Sequence, residues 1–141
     1  MAYNKELREL ADMAKRATEH ANTAYVAAVK HSDEAISIAS RVSKHNAKDN
    51  ANKVIEAAEE ARKYAEIVEA LSIEVSTQFD MACDIKIVSS NRNDVLTVMV
   101  GYVNNTNAFA LAAKYAANIA LKTAKEFARR YENGTKAGTT G

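Results

Sequence analysis

Residues 4–45, NKELRELADMAKRATEHANTAYVAAVKHSDEAISIASRVSKH, carry the pattern that decides the fold. Read with a seven-residue repeat, one set of positions holds Leu7, Ala14, Ala21, Ala28, Ala35 and Val42. The matching set, three residues on, holds Leu10, Ala17, Ala24, His31, Ile38 and His45. Ten of these twelve positions are apolar, and no Pro or Gly interrupts the run. Alternating threes and fours over that distance predict one long helix packed along a narrow seam.

Asn4 can cap this helix, with Glu6 in its first turn. Ser32-Asp33-Glu34 resembles a second N-cap followed by acids. The heptad phase passes through Ser32 unbroken, however, which favours a continuous helix. At 1.5 Å per residue such a helix is about 63 Å long, whereas a compact chain of this length has a radius of gyration of about 14 Å. The expectation is therefore an elongated molecule.

The next break falls at Asn46-Ala47-Lys48-Asp49-Asn50, where Asn46 suits the left-handed position after a helix and Asp49 or Asn50 can cap the next one. A second helix over about 50–82 then shows Val54, Ala58, Ala61, Ala65, Val68, Val75, Phe79 and Ala82 on one face. Glu56, Glu59, Glu60, Lys63 and Glu66 lie on the other. The short connection makes it an antiparallel neighbour of the first helix.

Residues 83–107 read two ways. Ile85–Val88 and Val95–Val100 are rich in β-branched residues, so a short β-hairpin within 84–103 is one reading. The favoured reading is a short helix over about 94–103, capped by Asn93 or Asp94 and ended by Gly101, because two isolated strands are marginal. In either case Val95–Val103 is too apolar for water and needs cover from its own chain or from another copy. Asn104-Asn105-Thr106-Asn107 reads as a turn. A last helix follows over 107–133, with Phe109, Ala113, Ala116, Ala120, Ala124, Phe127 and Tyr131 inward and Gly134 as its stop. Residues 135–141 read as a flexible tail to a single helical domain, 1–134. The fold class expected is all-α: an elongated antiparallel bundle of three to four helices with alanine-rich, coiled-coil-like seams.

Composition agrees. The 141 residues include no Pro, no Trp and only four Gly, a bias toward long uninterrupted helices. Nineteen basic and 18 acidic residues give a net charge of +1, so no global field points to nucleic acid or an anionic membrane. The single Cys83 excludes an internal disulfide and a CxxC site. The start of the chain lacks the basic-then-apolar plan of a signal peptide, and no transmembrane run is evident. The expected setting is cytoplasmic, or an intracellularly assembled particle such as a virion.

Candidate sites are few. His31 and His45 stand two heptads apart, about 21 Å along a helix axis, and His20 lies on another face. No Glu-x-x-His or His-x-x-x-His spacing occurs, so no metal or other cofactor is expected. Polar seam residues that set helix register are the plainer reading of His31 and His45. A pH-sensitive joint is the sharper one, since imidazole titrates near neutrality. Cys83, flanked by Asp80 and Asp84, lacks the electropositive surroundings of a reactive thiol and reads as a small packing residue. Lys114, Asn118, Lys122, Lys125 and Arg129 share the polar face of the last helix. They read as a solvated face, or as a partner for the acidic face of the second helix on a neighbouring copy.

Alanine seams let helix axes approach to about 8 Å but bury little. A methyl group contributes about 0.8 kcal/mol, a buried Leu or Ile about 1.5–3 kcal/mol. Thin seams must therefore be long or multiplied. The expected role is structural and non-enzymatic: a subunit that assembles with itself into a homo-oligomer, filament or coat, or with other structural proteins. A small helical adaptor or regulatory module is the alternative. The seam expected is Ala14, Ala17, Ala21, Ala24, Ala28, His31, Ala35 and Ile38. The assembly interface expected is Val95, Val98, Met99, Tyr102, Phe109, Phe127 and Tyr131.

Overall fold

A computed structural model of the chain describes residues 2–41, 47–85 and 91–140, with side chains described for 5–41, 47–85 and 91–130. Among the described residues the protein is an all-α bundle of three packed helices, α1 (Ala2–Arg41), α2 (Ala47–Asp84) and α3 (Arg92–Thr140). Among the described residues there is no strand.

Helix α1 runs through Ser32 without a break, as the unbroken heptad phase requires. Its start is earlier than expected: Ala2 opens the helix, so Asn4 lies inside it. Val42 and His45 fall outside the described residues. Helix α2 also starts early, at Ala47, which places Asp49 in its first turn rather than in a cap. Negative charge is favourable there because the first amides point toward it.

The largest correction concerns the third helix. The expected pieces 94–103 and 107–133 are one helix, and the bundle has three helices rather than four. The β-hairpin reading fails for Val95–Val100, which is helical; residues 86–90 lie outside the described residues. Nor does the polar cluster 104–107 form a turn. The Thr106 hydroxyl donates to the Tyr102 carbonyl at 2.9 Å and to that of Val103 at 3.1 Å, satisfying a fully buried side chain within its own helix. Threonine can settle in a helix this way. Gly101 passes through in ordinary helical conformation, with no positive φ. The expected caps Asn93 and Asp94 are interior too: the Asn91 carbonyl accepts the Val95 amide at 3.0 Å, one turn ahead of them. Helix α3 also continues past Gly134, the expected stop, to Thr140.

The bundle forms two compact units, Met1–Tyr25 with Glu66–Ala112, and Val26–Ala65 with Ala113–Gly141. The first unit has a core of large side chains. Leu7, Leu10, Val75, Ile85 and Met99 are buried there with Ala14, Ala17 and Ala82. Leu71, Phe79, Val95, Leu96, Tyr102 and Val103 pack against them. Two bonds fix the helix direction in this unit. Arg92 reaches the Ile85 carbonyl, and Ser72 Oγ donates to Asn107 Oδ1 at 2.6 Å. As α3 advances from 92 to 107, its partners on α2 recede from 85 to 72, so the two helices are antiparallel. Among the described residues, the buried acceptor Gln78 Oε1 has no hydrogen-bond partner.

The buried apolar core of the second unit is, among the described residues, almost entirely alanine. Its buried apolar residues are Ala28, Ala35, Val54, Ala57, Ala58, Ala61, Ala65, Ala113, Ala117, Ala120 and Ala124, and Val54 alone exceeds a methyl group. Two polar contacts supplement it: Ser32 Oγ donates to the Ala116 carbonyl at 2.7 Å, and the His31 ring stacks on Tyr64 at 5.5 Å.

Candidate functional site

The expected seam is largely the buried face of α1. Ala14, Ala17, Ala21, Ala24, Ala28 and Ala35 are buried, while His31 and Ile38 are half-buried. Between Ala28 and Ala35 the inward position is Ser32, one residue beyond the heptad position held by His31. An α-helix drifts about 20° per heptad against a strict seven-residue repeat. After three heptads the drift brings the next residue inward.

His31 is thereby turned toward the edge, where Nδ1 lies 3.2 Å from Glu34 Oε2 and the ring covers Tyr64. His20 is exposed, and His45 lies outside the described residues. No group of three His, Cys, Asp or Glu able to hold a metal ion occurs among the described residues. Cys83 is half-buried with a free thiol.

The expected interface residues separate. Met99 is fully buried in its own chain, and Val95 and Tyr102 pack on the same core. Phe109 is stacked on Tyr25, with ring centroids 5.3 Å apart. Phe127 is half-buried, and the side chain of Tyr131 lies outside those described. Of the seven, Val98 stands out in solvent, at 51% exposure. The apolar run 95–103 thus finds most of its cover inside the protomer.

Other apolar side chains take the outward positions. In the first unit Ile73, Met81, Val100 and Leu111 are exposed with Val98; in the second, Val26, Ile55 and Tyr115 are. Among the described residues eleven large apolar side chains are exposed, seven non-alanine ones are buried and fourteen are half-buried. Scattered exposed apolar residues are ordinary; here they stand beside a core in which few large side chains are fully buried.

Among the described residues, ion pairs join His31 to Glu34, Arg62 to Glu59 and Lys63 to Glu60. Glu59 and Glu60, two members of the expected acidic face of α2, are therefore neutralised within one turn. Glu56 has no such partner among the described residues, and neither have the acids further along α2, Glu66, Glu69, Glu74, Asp80 and Asp84. Beyond Glu66 the sequence singles out Asp80 and Asp84 only as neighbours of Cys83, not as part of an acidic face.

Compared with family models, curated proteins and solved structures, the chain matches none.

The arrangement is one of surfaces. Arg92, which the sequence reading passed over, holds the end of α2 rather than a ligand. Its Nη2 donates to the Cys83 carbonyl at 3.0 Å and its Nε to the Ile85 carbonyl at 3.1 Å. The last turn of α2 has no basic residue of its own. Arg92 supplies the positive charge that the exposed carbonyls of a helix end favour. Among the described residues, no helix is long and apolar enough to cross a membrane.

Proposed function

We propose that this chain is a structural subunit that assembles with itself into a homo-oligomer, filament or coat through helix packing. The observation that carries the reading is that, among the described residues, eleven large apolar side chains are left exposed while seven non-alanine ones are buried and fourteen only half-buried. Full burial of such a side chain is worth about 1.5–3 kcal/mol; each exposed one, at 38–71% exposure, forgoes a share of that, and contact between copies recovers part of it. The alanine core of the second unit supports the same conclusion, since it gives that unit little burial of its own. The elongated form and the coiled-coil-like seams belong to this proposal, as does a role without catalysis.

Sedimentation velocity over a range of protein concentrations tests it, with electron microscopy of the same samples. Species larger than a monomer that grow with concentration are expected. A monomer at every concentration overturns the reading and leaves the exposed faces to a different protein, as an adaptor would use them.

A further inference from the structure

The near-zero net charge conceals a segregation. Residues 66–84 of α2 hold five acids and no Lys or Arg, a net of −5; residues 113–130 of α3 hold five bases and one acid, Glu126, a net of +4. The acids are Glu66, Glu69, Glu74, Asp80 and Asp84, and the bases Lys114, Lys122, Lys125, Arg129 and Arg130; all ten are exposed. None of the ten belongs to an ion pair among the described residues.

Helical spacing gathers each set onto a stripe. Glu66, Glu69, Ile73, Asp80 and Asp84 follow one another at intervals of three, four, seven and four, which keeps them on one outward side of α2. Lys114, Asn118, Lys122, Lys125 and Arg129 do the same on α3. The acidic stripe spans about 27 Å and the basic one about 23 Å, so their lengths match. Each also carries large exposed apolar groups: Ile73 (63%) and Met81 (51%) with the acids, Tyr115 (69%) with the bases.

We infer that the acidic stripe of α2 docks on the basic stripe of α3 of a second copy. This rests on the self-assembly reading and specifies its contact. Ile73, Met81 and Tyr115 supply apolar area, while the charges set partner and register, which is what complementary charge does best at an interface. Since the two stripes differ, each contact leaves one of each kind unused. Assembly therefore continues until the copies close on themselves, as a mutual pair or a larger ring, and otherwise grows as an open filament.

Charge reversal tests the inference by sedimentation at low and high salt, with circular dichroism confirming helicity. Glu69→Lys with Asp80→Lys reverses one stripe, and Lys122→Glu with Lys125→Glu the other. Each pair is expected to weaken association on the order of tenfold or more at low salt. All four changes in one chain, or a mixture of the two reversed proteins, restore it. Wild-type association is expected to weaken with salt, because exposed charges are screened beyond about 10 Å at 0.1 M. Assembly of both reversed proteins like wild type overturns this docking and leaves self-assembly standing. So does weakening that the fourfold change fails to restore. A wild-type protein that stays monomeric at low salt overturns the self-assembly reading itself.

Discussion

The Ser32 hydroxyl donates to the main-chain carbonyl of Ala116 at 2.7 Å, a bond from α1 to α3 within the second unit. It accounts for a serine, followed by two acids, that starts no new helix. A capping serine turns its oxygen to amides two or three residues on; this one points across to another helix instead. Ser32 is only 3% exposed, and its neighbours in this unit are mostly alanines. Ser32→Ala leaves no orphan behind, because the Ala116 carbonyl sits within a helix. The expected cost is the net value of one buried bond, about 0.5–1.5 kcal/mol, read as a lower urea midpoint at unchanged slope.

The seam of the second unit makes a sharper demand on size. Ala28 is fully buried, while Lys30, two residues on, is exposed. Ala28→Leu adds three carbons where methyl groups already meet, and overpacking of this kind costs about 1–3 kcal/mol. Lys30→Ala is expected to change stability by less than about 0.5 kcal/mol. Equal effects on the thermal midpoint would show that α1 does not pack through Ala28.

Much of α1 and α2 was legible because their inward residues keep one period and one chemistry. All the residues read as the inner face of α2, from Val54 to Ala82, are buried or packed on the core. What escaped the reading was polar groups used as interior. Ser32, Ser72, Gln78 and Thr106 are buried; Ser32 and Ser72 spend a hydroxyl on an oxygen of another helix that only the folded chain brings near, and Thr106 spends its own on carbonyls of its own helix. Asn107 accepts from Ser72 and so belongs to packing, whereas alone it reads as a turn residue. The unneutralised acids of α2 were hidden for a related reason. Which carboxylates find a cation depends on side-chain reach: Glu59 and Glu60 pair with Arg62 and Lys63, whereas Glu56 and Glu66 of the same expected face form no ion pair among the described residues.

Gly101 offers a gain rather than a loss. It lies inside α3 with no positive φ, and a Cβ placed there meets nothing within 4 Å. Glycine in a helix costs about 0.5–1 kcal/mol relative to alanine because the unfolded chain loses more freedom. Gly101→Ala is therefore expected to stabilise the protein by that amount. A raised thermal midpoint checks it; a lowered one would mean that the helix needs the flexibility or the space at this point.

Arg92 is the position where charge should matter more than bulk. Its guanidinium bridges the carbonyls of Cys83 and Ile85 at 3.0 and 3.1 Å, closing the end of α2 from the first residue of α3. Hydrogen bonds with a charged donor contribute about 1.5–3 kcal/mol each when well made, less where water competes, and Arg92 is only half-buried. Arg92→Ala is expected to cost about 1–3 kcal/mol, with earlier amide exchange in the last turn of α2 and the first turn of α3. Arg92→Lys keeps the charge but not the two-pronged geometry, so it should recover part of the loss. Full recovery by lysine would assign the effect to the helix dipole alone, and no loss in either variant would show that the end of α2 is held by other means.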